Sequence, residues 1–108
     1  MASISNPEPN LLTLAGEIDL HESSTVREKL NPLIEGKQPQ ILIDLSGVSY
    51  IDSSGLALFI DAMQRIQAYG GKLSLIGIRK NVLNIFEIAR LDQIFRIFPD
   101  KEAALGAA

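Results

Sequence analysis

Cysteine is absent from this chain of 108 residues, and histidine occurs only once. Without cysteine the chain can form no disulfide, no thiolate metal site and no thiol nucleophile, and it is compatible with a reducing compartment. The single histidine, His21, argues against a transition-metal centre. No metal ion or cofactor is therefore predicted.

Long apolar runs and an excess of positive charge are also missing. No apolar stretch approaches the ~20 residues that cross a bilayer, and the first ten residues lack the basic and apolar regions of a signal peptide. The formal net charge is −3 and the basic residues are scattered, so neither a nucleic-acid partner nor an anionic membrane surface is expected. We expect a cytoplasmic protein without direct membrane insertion.

The chain does contain enough apolar sequence for one folded domain. Its hydrophobic fraction is 46% and its charged fraction is 21%, which are typical of a soluble globular protein with a single core. Residues 1–10 are predicted to be a short polar segment that holds at most a stunted edge strand. Residues 11–108 are predicted to be the domain.

Strand-like and helix-like segments alternate along the predicted domain. Predicted strands cover residues 11–15, 40–45, 48–51, 72–76 and 94–98, and predicted helices cover 22–35, 54–69, 81–90 and 101–105. Ser46-Gly47 is predicted to break the second strand, and Thr25 is predicted to cap the first helix. The alternation predicts an α/β domain, with about four helices packed on a mostly parallel or mixed sheet of four to five strands.

One turn, Asp52-Ser53-Ser54-Gly55, follows an apolar strand and opens an amphipathic helix. It offers two hydroxyl groups at a helix N-terminus, where free N–H groups and the positive end of the helix dipole favour a phosphate group. Asp and Ser are also the preferred N-cap residues. From the local pattern alone, a purely structural cap remains the simpler interpretation.

Known catalytic patterns do not account for this turn. The strand-turn-helix around Ser53 lacks the G-x-S-x-G pattern. His21 would have to reach across the sheet to act as its base, and a surface histidine near the start of the first helix is the favoured interpretation. A phosphate-binding G-K-[ST] loop is absent. Asp44, Asp52 and Asp61 suggest a Mg²⁺ or receiver-type pocket, but no lysine is suitably placed to complete one. No catalytic residue is predicted, and a small enzyme or nucleotide binder is the least favoured function.

Five segments together form a more specific pattern in their order and spacing. They are Gly16–Asp19, Ile41–Val48, Tyr50–Leu56, Gly70–Leu73 and Phe86–Phe95. This pattern resembles the STAS domain and, more narrowly, the bacterial anti-sigma factor antagonists, over nearly the whole chain beyond residue 10. The resemblance implies a single STAS domain that acts as a switch protein and not as an enzyme.

The resemblance also implies a mechanism. In that family the unphosphorylated antagonist binds an anti-sigma factor that is also a serine kinase, phosphorylation releases it, and a serine phosphatase reverses the modification. Carried onto this chain, the phosphate acceptor is Ser53. A monomer or a weak dimer is expected. The partner-binding residues that the resemblance implies lie in the turn around Ser53 and in the loop from Gly16 to Asp19, and they are Gly16, Glu17, Asp19, Asp52, Ser54 and Gly55.

Ala57 departs from the antagonist pattern, because many antagonists have glycine there. The segment from Asp52 to Leu58 is also similar to STAS subunits of lipid-transport ABC complexes, which dock without a phosphoswitch and usually lack the first serine. The alternative function is therefore a constitutive docking subunit of such a complex or of a signalling scaffold. The presence of Ser53 favours the antagonist.

Overall fold

A mixed sheet forms the centre of the computed structural model, which describes residues 3–8 and 10–107. Its strands are β1 (Ser3–Glu8), β2 (Leu11–Ile18), β3 (Gln40–Ile51), β4 (Lys72–Ile76) and β5 (Arg96–Phe98). The α-helices in this part of the chain are α1 (Leu20–Glu35), α2 (Ser53–Ala68), α3 (Lys80–Ile88) and α4 (Lys101–Gly106), and a 3₁₀ turn covers Leu91–Gln93. The strands lie in sequence order, with β1 antiparallel and the other pairs parallel. The predicted α/β class is confirmed.

One face of the sheet is covered by α1, α2 and α3. Because β2 to β5 are parallel and follow one another in space, right-handed connections place the three intervening helices on the same side. Their buried side chains pack with alternate residues of the strands, such as Ile41 and Ile43, in the main core. Phe86 of α3 joins this core through Phe59 and Phe95, with ring centroids 6.5 Å and 5.6 Å away.

The opposite face is covered by α4 alone among the described helices. A smaller core lies there, formed by Leu11, Leu42, Ile76 and Ala104. Leu42 stands between two residues of the main core and points the other way, because successive side chains of a strand alternate. β3 is therefore buried on both faces, as its nearly continuous apolar pattern predicts.

β3 is one strand of 12 residues, and the predicted break at Ser46-Gly47 is wrong. Gly47 lies against β2, where a Cβ atom on it would come within 2.8 Å of the Ala15 Cβ. This glycine permits a close approach of two backbones, which is one of the roles of glycine inside a strand. The two predicted strand pieces are therefore joined.

β2 also extends further than predicted, since it passes Gly16 and ends at Ile18. Gly16 has a φ of +88°. The pairing of β2 with β3 shifts register on each side of Ala15 and Gly16, and at the sheet edge Ile18 pairs with Ile51. Two bulge-like shifts thus let β3 use two more residues than β2 to reach the same edge.

α1 begins at Leu20 and is capped by Asp19, whose carboxylate accepts a hydrogen bond from the Glu22 N–H at 3.0 Å. The predicted start at residue 22 and the predicted Thr25 cap are wrong, because the aspartate at the strand end already satisfies the first turn. Pro32 lies in the last turn without ending the helix there.

The remaining elements differ from the predictions by small amounts. α2 begins one residue earlier than predicted, α3 covers Lys80–Ile88, and β5 begins at Arg96 because a 3₁₀ turn precedes it. Asp100 caps α4 as predicted, with its carboxylate accepting from the Ala103 N–H at 2.8 Å. These shifts leave the position of the Asp52 turn unchanged.

Candidate functional site

The turn from Asp52 to Gly55 lies at the sheet edge where β2 and β3 both end. Because these strands are parallel neighbours, the turns that follow them meet, and α1 and α2 begin side by side. The carboxyl ends of parallel strands are where α/β proteins commonly bind ligands and partners. The fold thus brings the Gly16–Asp19 segment and the Asp52–Gly55 turn into one region.

Asp52 joins the two turns. One carboxylate oxygen, Oδ1, accepts from the N–H groups of Ser54 at 2.9 Å and Gly55 at 3.1 Å, and so caps α2. The other oxygen, Oδ2, accepts from the Leu20 N–H at the start of α1, at 3.1 Å. The Asp52 N–H in turn donates to the Ile18 carbonyl at 3.2 Å. A single residue therefore links the beginnings of two helices, and its negative charge lies at the positive ends of both dipoles.

The two serines of the turn differ in exposure: Ser53 is exposed and Ser54 is half-buried. Ser53 is the first residue of α2. Among the residues that the structure describes, no hydrogen bond of a side chain uses the Ser53 hydroxyl, whereas the hydroxyls of Ser23 and Ser24 donate to carbonyls within α1. The Ser53 hydroxyl is therefore accessible and free of a local partner.

Gly55 is buried behind the serines. A Cβ atom on it would lie 2.6 Å from the Cγ2 of Ile51 and 3.0 Å from the carbonyl oxygen of Ile18. No side chain fits in that space without moving a core residue or the end of β2. Gly55 thus shapes the turn from inside, by allowing α2 to approach β2.

The other predicted partner-binding residues lie along the end of β2. Gly16 is half-buried and pairs with Val48, while Glu17 is exposed and pairs with Tyr50. Asp19 is half-buried and its carboxylate caps α1. The structure places Asp19 beside the Asp52 turn and the other two residues further back on the strand. Their roles in partner binding stay predictions.

Two exposed apolar side chains near the turn were not predicted from the sequence. Leu20 is 73% exposed and Tyr50 is 48% exposed. Leu20 lines a shallow depression together with Asp19, His21, Ser24 and Asp52. The apolar Leu20 directly after the Gly16–Asp19 segment is the signal in the sequence that could have drawn attention to this surface.

His21 lies at this same edge and not across the sheet, so the prediction of its position was wrong. The reason is the adjacency of β2 and β3, which places the first turn of α1 next to the Asp52 turn. His21 is exposed. It lines the depression with Asp52, and no hydrogen bond joins its side chain to Ser53 among the described residues.

The three carboxylates considered as an acidic pocket are dispersed. Asp44 accepts from the Ser46 N–H at 2.9 Å and lines a hollow beside α4. Asp61 lies on α2, 3.9 Å from the guanidinium of Arg27. Within residues 3–8 and 10–107, no group of three or more acidic, histidine or cysteine side chains is arranged to hold a metal ion. No helix in that part of the chain is long and apolar enough to cross a membrane.

This chain is similar in sequence to a known domain family and to proteins of known name. The family model of the STAS domain matches residues 3–104. The anti-sigma-B factor antagonist of Bacillus subtilis is 34% identical over 94 residues, which covers 87% of this chain and 85% of that protein. Its counterpart in Listeria monocytogenes is 36% identical over 85 residues, which covers 78% and 74% of the two chains.

Solved structures share the fold. The anti-sigma factor antagonist SpoIIAA in its unphosphorylated form matches with a TM-score of 0.70 at 20% identity, over 99% of this chain and 96% of that one. The phosphorylated form of the Bacillus protein matches with a TM-score of 0.71 at 21% identity, over 99% and 98% of the two chains. The two scores are nearly equal, so the fold described here resembles both forms alike.

Proposed function

This chain belongs to the STAS domain family, and on that premise we propose that it is an anti-sigma factor antagonist controlled by phosphorylation of Ser53. In its unphosphorylated state it binds an anti-sigma factor that is also a serine kinase, and so regulates transcription by releasing a sigma factor. Phosphorylation ends that binding, and a serine phosphatase restores it. The chain itself acts by binding in the cytoplasm and catalyses no reaction.

The observation that carries the proposal is the exposed Ser53 hydroxyl at the first position of α2. In the reaction, the γ-phosphoryl group of ATP moves to the Ser53 Oγ, the hydroxyl proton is lost and ADP leaves. The similarity to proteins named anti-sigma-B factor antagonists supports the kind of partner. The existence of a phosphorylated form of SpoIIAA supports phosphorylation within this fold.

The position of Ser53 suits a switch that changes binding and not folding. A phosphate group adds about −1.5 to −2 charges, and the start of a helix is the place where such a charge is best tolerated. In a docked complex the same group must lose its water and face the partner, beside the exposed Leu20 and Tyr50. A penalty of about 2.7 kcal/mol there weakens binding about a hundredfold.

The direct test is incubation with ATP and the cognate serine kinase, followed by mapping of the modified residue. The phosphate is expected on Ser53, and Ser53→Ala should abolish labelling. Ser54→Ala is the matched control, because it removes the neighbouring hydroxyl and should still be labelled. Phosphate on Ser23, Ser24 or Ser54, or no labelling of the wild type, would contradict the assignment.

Binding separates this proposal from the constitutive docking subunit. Ser53→Asp adds a negative charge at the exposed position and should weaken kinase binding by tenfold or more in calorimetry, since the charge is desolvated in the complex. The docking alternative predicts a tight complex that Ser53→Asp leaves unchanged. Titration with ATP and GTP in the absence of a partner should give no heat, and a binding isotherm there would favour a nucleotide-binding function.

A further inference from the structure

Leu20 lies directly after the Gly16–Asp19 segment, and no motif of the sequence assigns it to the switch. Its side chain is the second most exposed of the large apolar ones in the described chain, at 73%. Its backbone N–H is bound by the carboxylate of Asp52, which lies 32 residues away in the sequence. An exposed apolar residue at the start of α1 is thus held by the residue that precedes Ser53, the proposed phosphate acceptor.

Two hydrogen bonds and one close contact connect the turn between β2 and α1 with the turn between β3 and α2. The Leu20 N–H donates to the Asp52 Oδ2 at 3.1 Å, and the Asp52 N–H donates to the Ile18 carbonyl at 3.2 Å. Behind them, Gly55 leaves no room for a Cβ atom against that same carbonyl oxygen. A displacement of the Asp52 side chain would therefore reach Leu20 directly, without a change in the rest of the sheet.

We propose that Asp52 is a positioning residue for Leu20, and that phosphate on Ser53 releases Leu20 by displacing the Asp52 carboxylate. This rests on the proposed function of Ser53. The phosphate oxygens and the Asp52 carboxylate compete for the same N–H groups of Ser54 and Gly55 and repel each other as like charges. The modification then acts twice: it places charge on the docking surface and it loosens an apolar group beside it.

The substitution Asp52→Asn isolates the bond between the turns. Asparagine is as good an N-cap as aspartate, so its Oδ1 can keep the bonds to the N–H groups of Ser54 and Gly55. Its Nδ2 is a donor and cannot accept from the Leu20 N–H. Asp100→Asn is the matched control, because Asp100 caps α4 with one oxygen and its hydrogen bond stays within its own helix.

The experiment is amide NMR of the ¹⁵N-labelled chain alone, so that no partner is needed. Four samples are compared: the wild type, the chain with phosphoserine inserted at position 53 during translation, Asp52→Asn and Asp100→Asn. The Leu20 amide proton should move upfield and exchange at least about tenfold faster in the second and third samples, since a hydrogen bond to a charged group is lost. The Leu20 signal should be unchanged in Asp100→Asn.

An unchanged Leu20 signal in the phosphoserine sample would overturn the proposal, whether or not Asp52→Asn changes it. Because phosphoserine is inserted without a kinase, this result does not depend on the kinase assay. A failure of the kinase to label Ser53 would contradict the proposed function. It would not affect the NMR measurement, which tests the link between Ser53, Asp52 and Leu20 separately.

Discussion

Both ends of α2 are hydrogen-bonded to the chain next to α1, but the side chain that forms the bond is charged at one end and neutral at the other. At the N-terminal end, the charged Asp52 binds the Leu20 N–H where α1 begins. At the C-terminal end, the neutral hydroxyl of Tyr69 donates to the Gln38 carbonyl, just after α1 ends, at 2.7 Å. The N-terminal end carries an exposed serine that can receive a phosphate, and a negative charge suits only that end of a helix dipole.

Glycine also serves the two ends differently. Gly55 sits in a space where a Cβ atom would meet core atoms at 2.6 Å and 3.0 Å. Gly70 has a φ of +84° and open space around it. Gly55 is therefore needed for packing and Gly70 for its backbone conformation. At the C-terminal end close packing falls to the next residue, Gly71, where a Cβ atom would lie 2.6 Å from the Tyr69 ring.

Gly55→Ala is expected to have the largest effect on stability. The added methyl group overpacks the contact with Ile51 and Ile18, at a cost of about 2–3 kcal/mol, which lowers the melting temperature by roughly 10 °C. Gly70→Ala is the comparison at the other end and should cost about 1 kcal/mol, from backbone strain alone. Equal losses in thermal denaturation would contradict the difference in packing.

Asp52→Ala should come next, with a loss of about 2 kcal/mol in urea denaturation, because three N–H groups lose their acceptor. Asp100→Ala removes a cap with one such bond and should cost about 1 kcal/mol or less. If the two variants lost the same free energy of unfolding, the bond between the turns would contribute nothing to the fold.

Tyr69→Phe tests the C-terminal end, and the loss of the bond to Gln38 should cost about 1 kcal/mol at neutral pH. Burial raises the pKa of Tyr69 above its usual value near 10. The unfolded chain then loses this proton before the folded chain does, so the contribution is complete below about pH 10 and is lost as the pH rises through the folded pKa. Urea denaturation at rising alkaline pH should show a smaller decline for Tyr69→Phe than for the wild type.

Ser53→Ala should have the smallest effect, within about 0.5 kcal/mol of the wild type, because an exposed hydroxyl without a local partner contributes little. Its melting curve, measured beside that of Asp52→Ala, would separate the two neighbours of the turn. A large loss for Ser53→Ala would show that the hydroxyl is part of the cap and would weaken its assignment as a switch.

Local patterns predicted the elements well where they alternated regularly. The apolar spacing of α2 and the run Gln40–Leu45 placed the Asp52 turn correctly, because both depend on short-range periodicity. The continuity of β3 through Gly47 was not predicted, since it depends on the contact of that glycine with Ala15 of another strand. The tertiary contact thus keeps β3 continuous, although the local sequence Ser46-Gly47 predicts a break.

The same limit applies to the candidate site. The Asp52 cap could be predicted, because capping follows from neighbours in the sequence, whereas the exposure of Ser53 could not be established from the sequence alone. The position of His21 and the exposure of Leu20 could not, because both depend on β2 lying next to β3. The bond from Leu20 to Asp52 crosses 32 residues, and no pattern in a single sequence marks such a bond.

The two shifts in register between β2 and β3 make the position of Asp52 depend on the number of residues in β3. They bring Ile51 level with Ile18, and so deliver Asp52 to the start of α1. Deleting one residue near Gly47 would turn every later residue of β3 to the opposite face and leave Asp52 one position short of the start of α1. Substitutions at the exposed Ser49 and Tyr50 should therefore be tolerated far more readily than an insertion or deletion at the same positions.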